Sequence, residues 1–262
     1  MEKKKKTKNK KRFTWVNLAQ LLTVAALLLW MQWAVDSGRV LTIFVASPTS
    51  IVEEGIKIIT DGTLWPHLLL TIQEALAGYL SAVVVGIAVG LLWTLFPVSE
   101  KYMNVFCSAI MAVPKVAILP LLILWFGIGL GAKAAIIFVS AFVPCVINAY
   151  AGIKQTKPVH LWVAQTFGAS RREMLFTVAI PTALPLIFTG LRISLGTAWM
   201  TLCAAEMLAS NRGLGYMIQL NRTLARADLI VVAMLTIGVI GTVFTVGLDA
   251  LEKKFVKGGR RG

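Results

Sequence analysis

Apolar residues run along this chain in blocks of about twenty, interrupted by short polar stretches. Blocks of that length suit helices that cross a hydrocarbon layer and are too long for strands. Read end to end they predict six helical spans, at about 17–35, 68–96, 105–128, 134–152, 181–207 and 229–251. The second is longer than a crossing requires, so tilt or an interfacial end is expected. The third carries Pro114 and Pro120 and is expected to kink or break, because proline removes a backbone donor and clashes with the preceding turn. Between the first two spans, SPTSIVEEGIKIITDG reads as a short amphipathic helix on the outer membrane surface, opened by Pro48 and Ser50, with Ile51, Val52, Ile56, Ile58 and Ile59 on its apolar side.

Composition agrees. Of 262 residues 57% are hydrophobic and 15% charged, and the mean hydropathy is +0.77. A water-soluble domain of this size needs more charged surface. The predicted fold class is therefore all-α, a polytopic membrane protein of about six transmembrane helices spanning 17–251, between basic tails at 1–16 and 252–262.

The net charge of +14 is concentrated in those tails: eight Lys or Arg from Lys3 to Arg12 and five from Lys253 to Arg261. Clusters beside hydrophobic spans act as cytoplasmic anchors on anionic lipid, so no nucleic-acid partner is expected. The basic head and first apolar run imitate a signal peptide, but the run lacks a small-x-small cleavage site and reads as an uncleaved span. Both termini are then cytoplasmic, and the loop 153–180 falls inside with Lys154, Lys157, Arg171 and Arg172. Residues 36–66 fall outside with four acids. The loop 208–228 would be outside although it contains Arg212, Arg222 and Arg226, against the general rule. Cys107, Cys145 and Cys203 are dispersed, as are His67 and His160, so no metal set and no His-based catalytic pair is expected.

One polar stretch interrupts the oily chain, LWVAQTFGASRREMLFTVAIPTALP (161–185). Ser170 followed three residues later by Glu173 is a capping-box pattern, and Gly168 just before it can take the positive φ that ends a preceding helix. The stretch predicts a helix over about 158–167, a tight turn, and a second helix over about 171–180, with Pro181 at the junction with the fifth span. Two short helices fixed at a glycine to a membrane bundle form a rigid knob. Either a partner grips it to rotate the attached spans, or it is a capped loop that joins them.

Gly168 followed after nine residues by Val178-Ala179-Ile180-Pro181 resembles the EAA motif of binding-protein-dependent ABC importer permeases. In that family the pattern is E-A-A, three residues, Gly, nine residues and I-x-L-P, and it forms the element that docks on the ATPase. Here Trp162-Val163-Ala164 occupies the E-A-A positions, so Trp162 stands in place of the glutamate. VPKVAILPLLILWFGIGLGAKAAI (113–136), FGASRREMLFTVAIPTALPLIFTGLRISLGTAW (167–199) and AAEMLASNRGLGYMI (204–218) are similar to the permeases of nitrate, sulfonate and taurine importers. The likeness runs from about Ser47 to Leu251 and implies a type I importer permease architecture.

What the resemblance implies follows from the family. This chain would be the permease, not an enzyme, working with two ATPase subunits, a second permease copy as a homodimer, and an extracytoplasmic solute-binding protein, in a bacterial cytoplasmic membrane. ATP and Mg would be bound by the ATPase. Consistent with that division, the closest imitation of a phosphate-cradling G-x-x-x-x-G-K-[ST] loop, Gly127 to Lys133, has Ala132 where glycine must precede lysine. The coupling residues would be Trp162, Ala164, Gln165, Gly168, Ala169, Ser170, Arg171, Glu173, Ile180 and Pro181. An ion-gradient-driven secondary transporter is the alternative, for which the prolines of the third span could supply a discontinuous helix.

Four ionisable residues fall within the spans: Glu74, Lys115, Arg192 and Glu206. Charges at membrane depth are costly and mark pathways or pairs. Lys115 and Arg192 are expected near mid-span and the two acids nearer the outer side. They either line a route for a small anion or pair with one another to hold helices together. Gly86 with Gly90, and Gly190 with Ser194, have the small-xxx-small spacing that lets helices approach closely.

Overall fold

The computed structural model describes residues 15–95 and 99–256, so most of both basic tails lies outside the described residues. Among those residues the regular structure is helical: α1 (Trp15–Asp36), α2 (Pro48–Thr60), α3 (Leu64–Trp93), α4 (Ser99–Ala112), α5 (Lys115–Phe126), α6 (Leu130–Lys154), α7 (Pro158–Thr166), α8 (Arg171–Met174), a π-helical stretch Leu175–Ala179, α9 (Ile180–Ala209), α10 (Leu214–Thr223) and α11 (Ala227–Phe255). Among the described residues, five helical segments are long and apolar enough to cross a membrane, and the bent pair α4–α5 is a sixth when counted as one span.

The third predicted span is where the prolines act. Pro114 is extended (φ −61°, ψ 114°), α4 stops before it, and α5 leaves with its axis turned by 86°. A proline disfavours helical backbone in the residue before it, so Val113 is a natural stopping point. Pro120 sits inside α5 without ending it.

Two other boundaries differ from the sequence reading, and a third element agrees with it. The stretch read as loop 208–228 contains α10, whose buried Leu214 and Met217 pack with Leu68 and Val232. The fifth span does not begin at Pro181 but continues α8 through the π-helical stretch, giving one helical rod from Arg171 to Ala209. At ~1.5 Å per residue its 39 residues reach roughly 58 Å, well beyond a hydrocarbon core. The amphipathic helix α2 is capped by Ser47, whose Oγ accepts the Ser50 N–H at 3.2 Å, with Pro48 in the first turn. It packs on α11, with Gly55 facing Val232 and Ile58 buried, in addition to exposing Val52, Ile56 and Ile59.

The core is the contact of α3 and α9 with α6, and small residues make it. A Cβ on Gly86 would come 2.7 Å from Cys145 Cβ, and one on Gly90 2.7 Å from Val146 O and 2.8 Å from Ala149 Cβ. On the other side of α6, Gly190 backs onto Asn148, and Gly152 of α6 meets Ala183 of α9. In lipid no hydrophobic force separates protein from solvent, so close backbone approach supplies much of the attraction between helices. Tyr79 adds a polar tie, its hydroxyl donating to Leu191 O at 2.8 Å.

Candidate functional site

The polar segment folds as a knob on the α6–α9 pair. Pro158 opens α7, and the chain turns at Gly168 with φ 80°. That left-handed conformation strains any residue with a Cβ. Ser170 caps α8: its Oγ accepts the Glu173 N–H at 3.3 Å, while Glu173 Oε2 accepts the Ser170 N–H at 2.7 Å. Both halves of the box form, so two otherwise unpaired donors at the helix start are satisfied. The helix then widens just before Pro181, where Ile180 N–H bonds to Leu175 O, five residues back. A π turn beside a proline lets the helix continue past the missing donor.

The knob leaves apolar surface uncovered. Trp162 is 65% exposed, Phe167 87% and Phe176 65%. Of the other sequence-selected residues, Gln165, Gly168, Ser170, Arg171, Glu173 and Pro181 are exposed, and Ala164, Ala169 and Ile180 are half-buried. Trp162, at the position of the family's glutamate, is largely exposed. Three large apolar side chains thus stand exposed around the glycine turn.

The four intramembrane charges divide into three places. Glu74 and Glu206 meet in one buried cluster, and the cation in it is Lys133, which the sequence reading treated only as part of a false phosphate loop. Lys133 Nζ donates to Glu74 Oε1 at 2.6 Å and to Ser210 Oγ at 2.7 Å. Glu206 accepts from Thr71 Oγ1 at 2.6 Å and from the Gly215 N–H at 2.7 Å. Lys133 was missed because it lies at the edge of an apolar block and looks like a flank. Two acids within apolar spans were the available signal, since they require a cation nearby.

Arg192 joins neither acid. Its guanidinium pairs with Asp249, Nε to Oδ1 at 3.1 Å, and with Glu252 of α11. The sequence reading put Arg192 near mid-span; the structure pairs it with the two acids near the C-terminal end of α11. Lys115 sits at the α4–α5 break, its Nζ donating to Met111 O at 2.8 Å. Among the described residues no carboxylate pairs with it. It lines a cavity of about 250 Å³ with Met111, Ser140, Val143, Pro144, Thr197, Met200 and Thr201.

These features have relatives. The family described as "binding-protein-dependent transport system inner membrane component" matches residues 82–260. The taurine transport system permease protein TauC of Escherichia coli (strain K12) is 35% identical over 235 residues, covering 87% of this chain and 86% of TauC. SsuC of Bacillus subtilis (strain 168), named for aliphatic sulfonate transport, is 30% identical over 253 residues, covering 97% and 91%. Among solved structures, the inward-facing MetNI methionine ABC transporter superposes with a TM-score of 0.60 at 17% identity, over 71% of this chain and 93% of that one, a likeness of fold.

The chain belongs to the family of inner-membrane components of binding-protein-dependent transport systems. It is a transmembrane permease subunit of an ABC importer: a transport component, with ATP hydrolysis carried by a separate subunit. Such a permease works with an ATPase and a binding protein, and a self-sufficient secondary transporter is not favoured.

Proposed function

We propose that this chain forms the translocation pathway for a small anionic solute, of the sulfonate class carried in the names of TauC and SsuC, and is driven through the segment 158–181. Two copies would pair as a homodimer over two ATPase subunits that bind ATP and Mg, with both basic tails and the knob on the cytoplasmic side. The solute would arrive from an extracytoplasmic binding protein. The transmembrane unit 17–251 and the tails 1–16 and 252–262 would then be, respectively, the moving part and its lipid anchors.

The observation that carries this reading is mechanical. The knob joins α6 through the Gln155–Lys157 turn and α9 through an unbroken helix, and α6 and α9 pack closely where Gly152 meets Ala183 and Gly190 meets Asn148 and Pro144 O. Force applied to Trp162 and Phe167 would therefore move the two central helices as one body, as alternating access requires. On the solute side, Lys115 with the hydroxyls of Ser140, Thr197 and Thr201 offers a cation and hydrogen-bonding groups at the broken span.

The test is Gly168→Pro combined with Ala169→Arg, assayed for ATPase co-purification and for uptake in cells. Both should be lost while the chain remains in the membrane; survival of both would eliminate the coupling role. Lys115→Gln separates the solute reading from the coupling reading: assembly should stay normal while anion uptake falls, and unchanged uptake would remove Lys115 from the path.

A further inference from the structure

Burial leaves the Glu74–Lys133–Glu206 cluster one positive charge short. Glu74 is 1% exposed, Lys133 4% and Glu206 0%. Lys133 gives its bonds to Glu74 Oε1 and Ser210 Oγ, whereas Glu206 takes its donors from Thr71 and the Gly215 amide. The second carboxyl oxygen of Glu74, Oε2, is buried without a hydrogen-bond partner. Its carboxyl lies close enough to that of Glu206 for the two to interact directly. With both acids ionised, one ammonium would face two carboxylates in a site sealed from water. Uncompensated charge in such a place is strongly disfavoured, and two neighbouring carboxyls relieve it by keeping a proton.

Among the described residues, the neighbouring elements supply no other counter-charge. From α3 comes His67 at the rim, whose Nδ1 accepts the Gly213 N–H at 3.0 Å, and from α10 Tyr216, stacked on the His67 ring. Arg212 of the connecting loop is exposed and acts on His67. The remaining titratable neighbour on α9 is the half-buried thiol of Cys203, and α6 contributes Lys133 itself.

The loop between α9 and α10 is built around this site. Lys133 holds Ser210, His67 holds the Gly213 amide, Thr71 Oγ1 accepts the Leu214 N–H at 2.9 Å, and Glu206 holds the Gly215 amide. Gly213 and Gly215 are glycines because a Cβ on either would overlap Glu206; at Gly215 it would come 2.8 Å from Glu206 Cβ and 2.5 Å from Cys203 O.

We propose that Glu74 and Glu206 bind one proton between them, which neutralises the cluster with Lys133 and closes the 210–215 loop onto α3 and α6. The proton gives Glu74 Oε2 its missing partner. Whichever carboxyl carries it, the O–H donates to the other. Removing it returns a net negative charge to the cluster, and the loop, two of whose four ties run to Lys133 and Glu206, loosens. The site therefore acts as a proton-dependent clasp, whichever solute the permease carries.

Infrared spectroscopy of the purified, assembled transporter tests this. A carboxylic-acid C=O band, shifted by exchange into D₂O, should be present at neutral pH and lost in both Glu206→Gln and Glu74→Gln. Hydrogen exchange at the amides of 213–215, corrected for intrinsic rate, supplies a second readout: protection should fall on raising the pH of the wild-type protein and persist in Glu206→Gln, whose amide mimics the protonated acid. Should one variant fail to assemble, the other carries the comparison. A wild-type spectrum with no protonated carboxyl at neutral pH overturns the proposal, as does equal pH sensitivity of the loop in wild type and variant.

Discussion

Lys133 of α6 and Glu74 of α3, 59 residues apart in the chain, meet at 2.6 Å with neither side chain more than 4% exposed. This pair pins α6 to α3 at the end of the bundle where the loop before α10 folds in. Replacing Lys133 with Met should strand Glu74 beside a second acid and cost about 3–5 kcal/mol, the usual range for breaking a buried pair. The thermal midpoint of the assembled transporter in detergent reads this. Lys133→Met with Glu74→Leu should recover most of the loss, because the pair goes together.

Gly168→Ala should cost roughly 1–2 kcal/mol at the knob, since φ 80° is a left-handed conformation that a Cβ opposes. The bundle is remote from that turn, so the thermal midpoint should stay close to wild type. The expected change is weaker ATPase co-purification.

Ser170→Ala removes the acceptor for the Glu173 amide and should destabilise the start of α8 by about 1 kcal/mol. Limited proteolysis should then cut between 167 and 173 faster than in wild type. Ser170→Asp, which keeps an acceptor at the cap, should restore resistance.

Gly90→Val should prevent normal folding, because its Cβ would press on Val146 O and Ala149 where α3 crosses α6. Gly238→Val is the control: nothing lies within 4 Å of a Cβ there, although the residue is also helical. The level of membrane-inserted protein resistant to detergent aggregation separates the two.

Arg192→Gln should change stability by about 1 kcal/mol or less, because its ion pairs with Asp249 and Glu252 are partly exposed and screened. Uptake should remain within a few-fold of wild type if Arg192 acts only to fasten the end of α11 to α9. A drop of more than tenfold with unchanged stability would place it on the solute route.

Local rules made much of this legible. Six apolar blocks were read as spans because hydrophobic length is a one-dimensional property. Ser170, Glu173 and Gly168 announced their cap and turn because those bonds close within a few residues. The break at Pro114 was expected for the same reason, as was the tight packing of Gly86 and Gly90. The π-helical continuation through Pro181 was not, because a bare proline motif reads equally as an end or an insertion.

The chain order alone determined that this is a multi-span helical protein with a capped polar knob, since hydropathy, capping and proline effects act over one or two helical turns. Only the tertiary structure decided which charges meet. Glu74, Lys133 and Glu206 lie on three helices, and their pairing depends on how α3, α6 and α9 settle against one another through glycine contacts. Coulomb attraction and desolvation depend on distance through space, and the sequence does not record that distance.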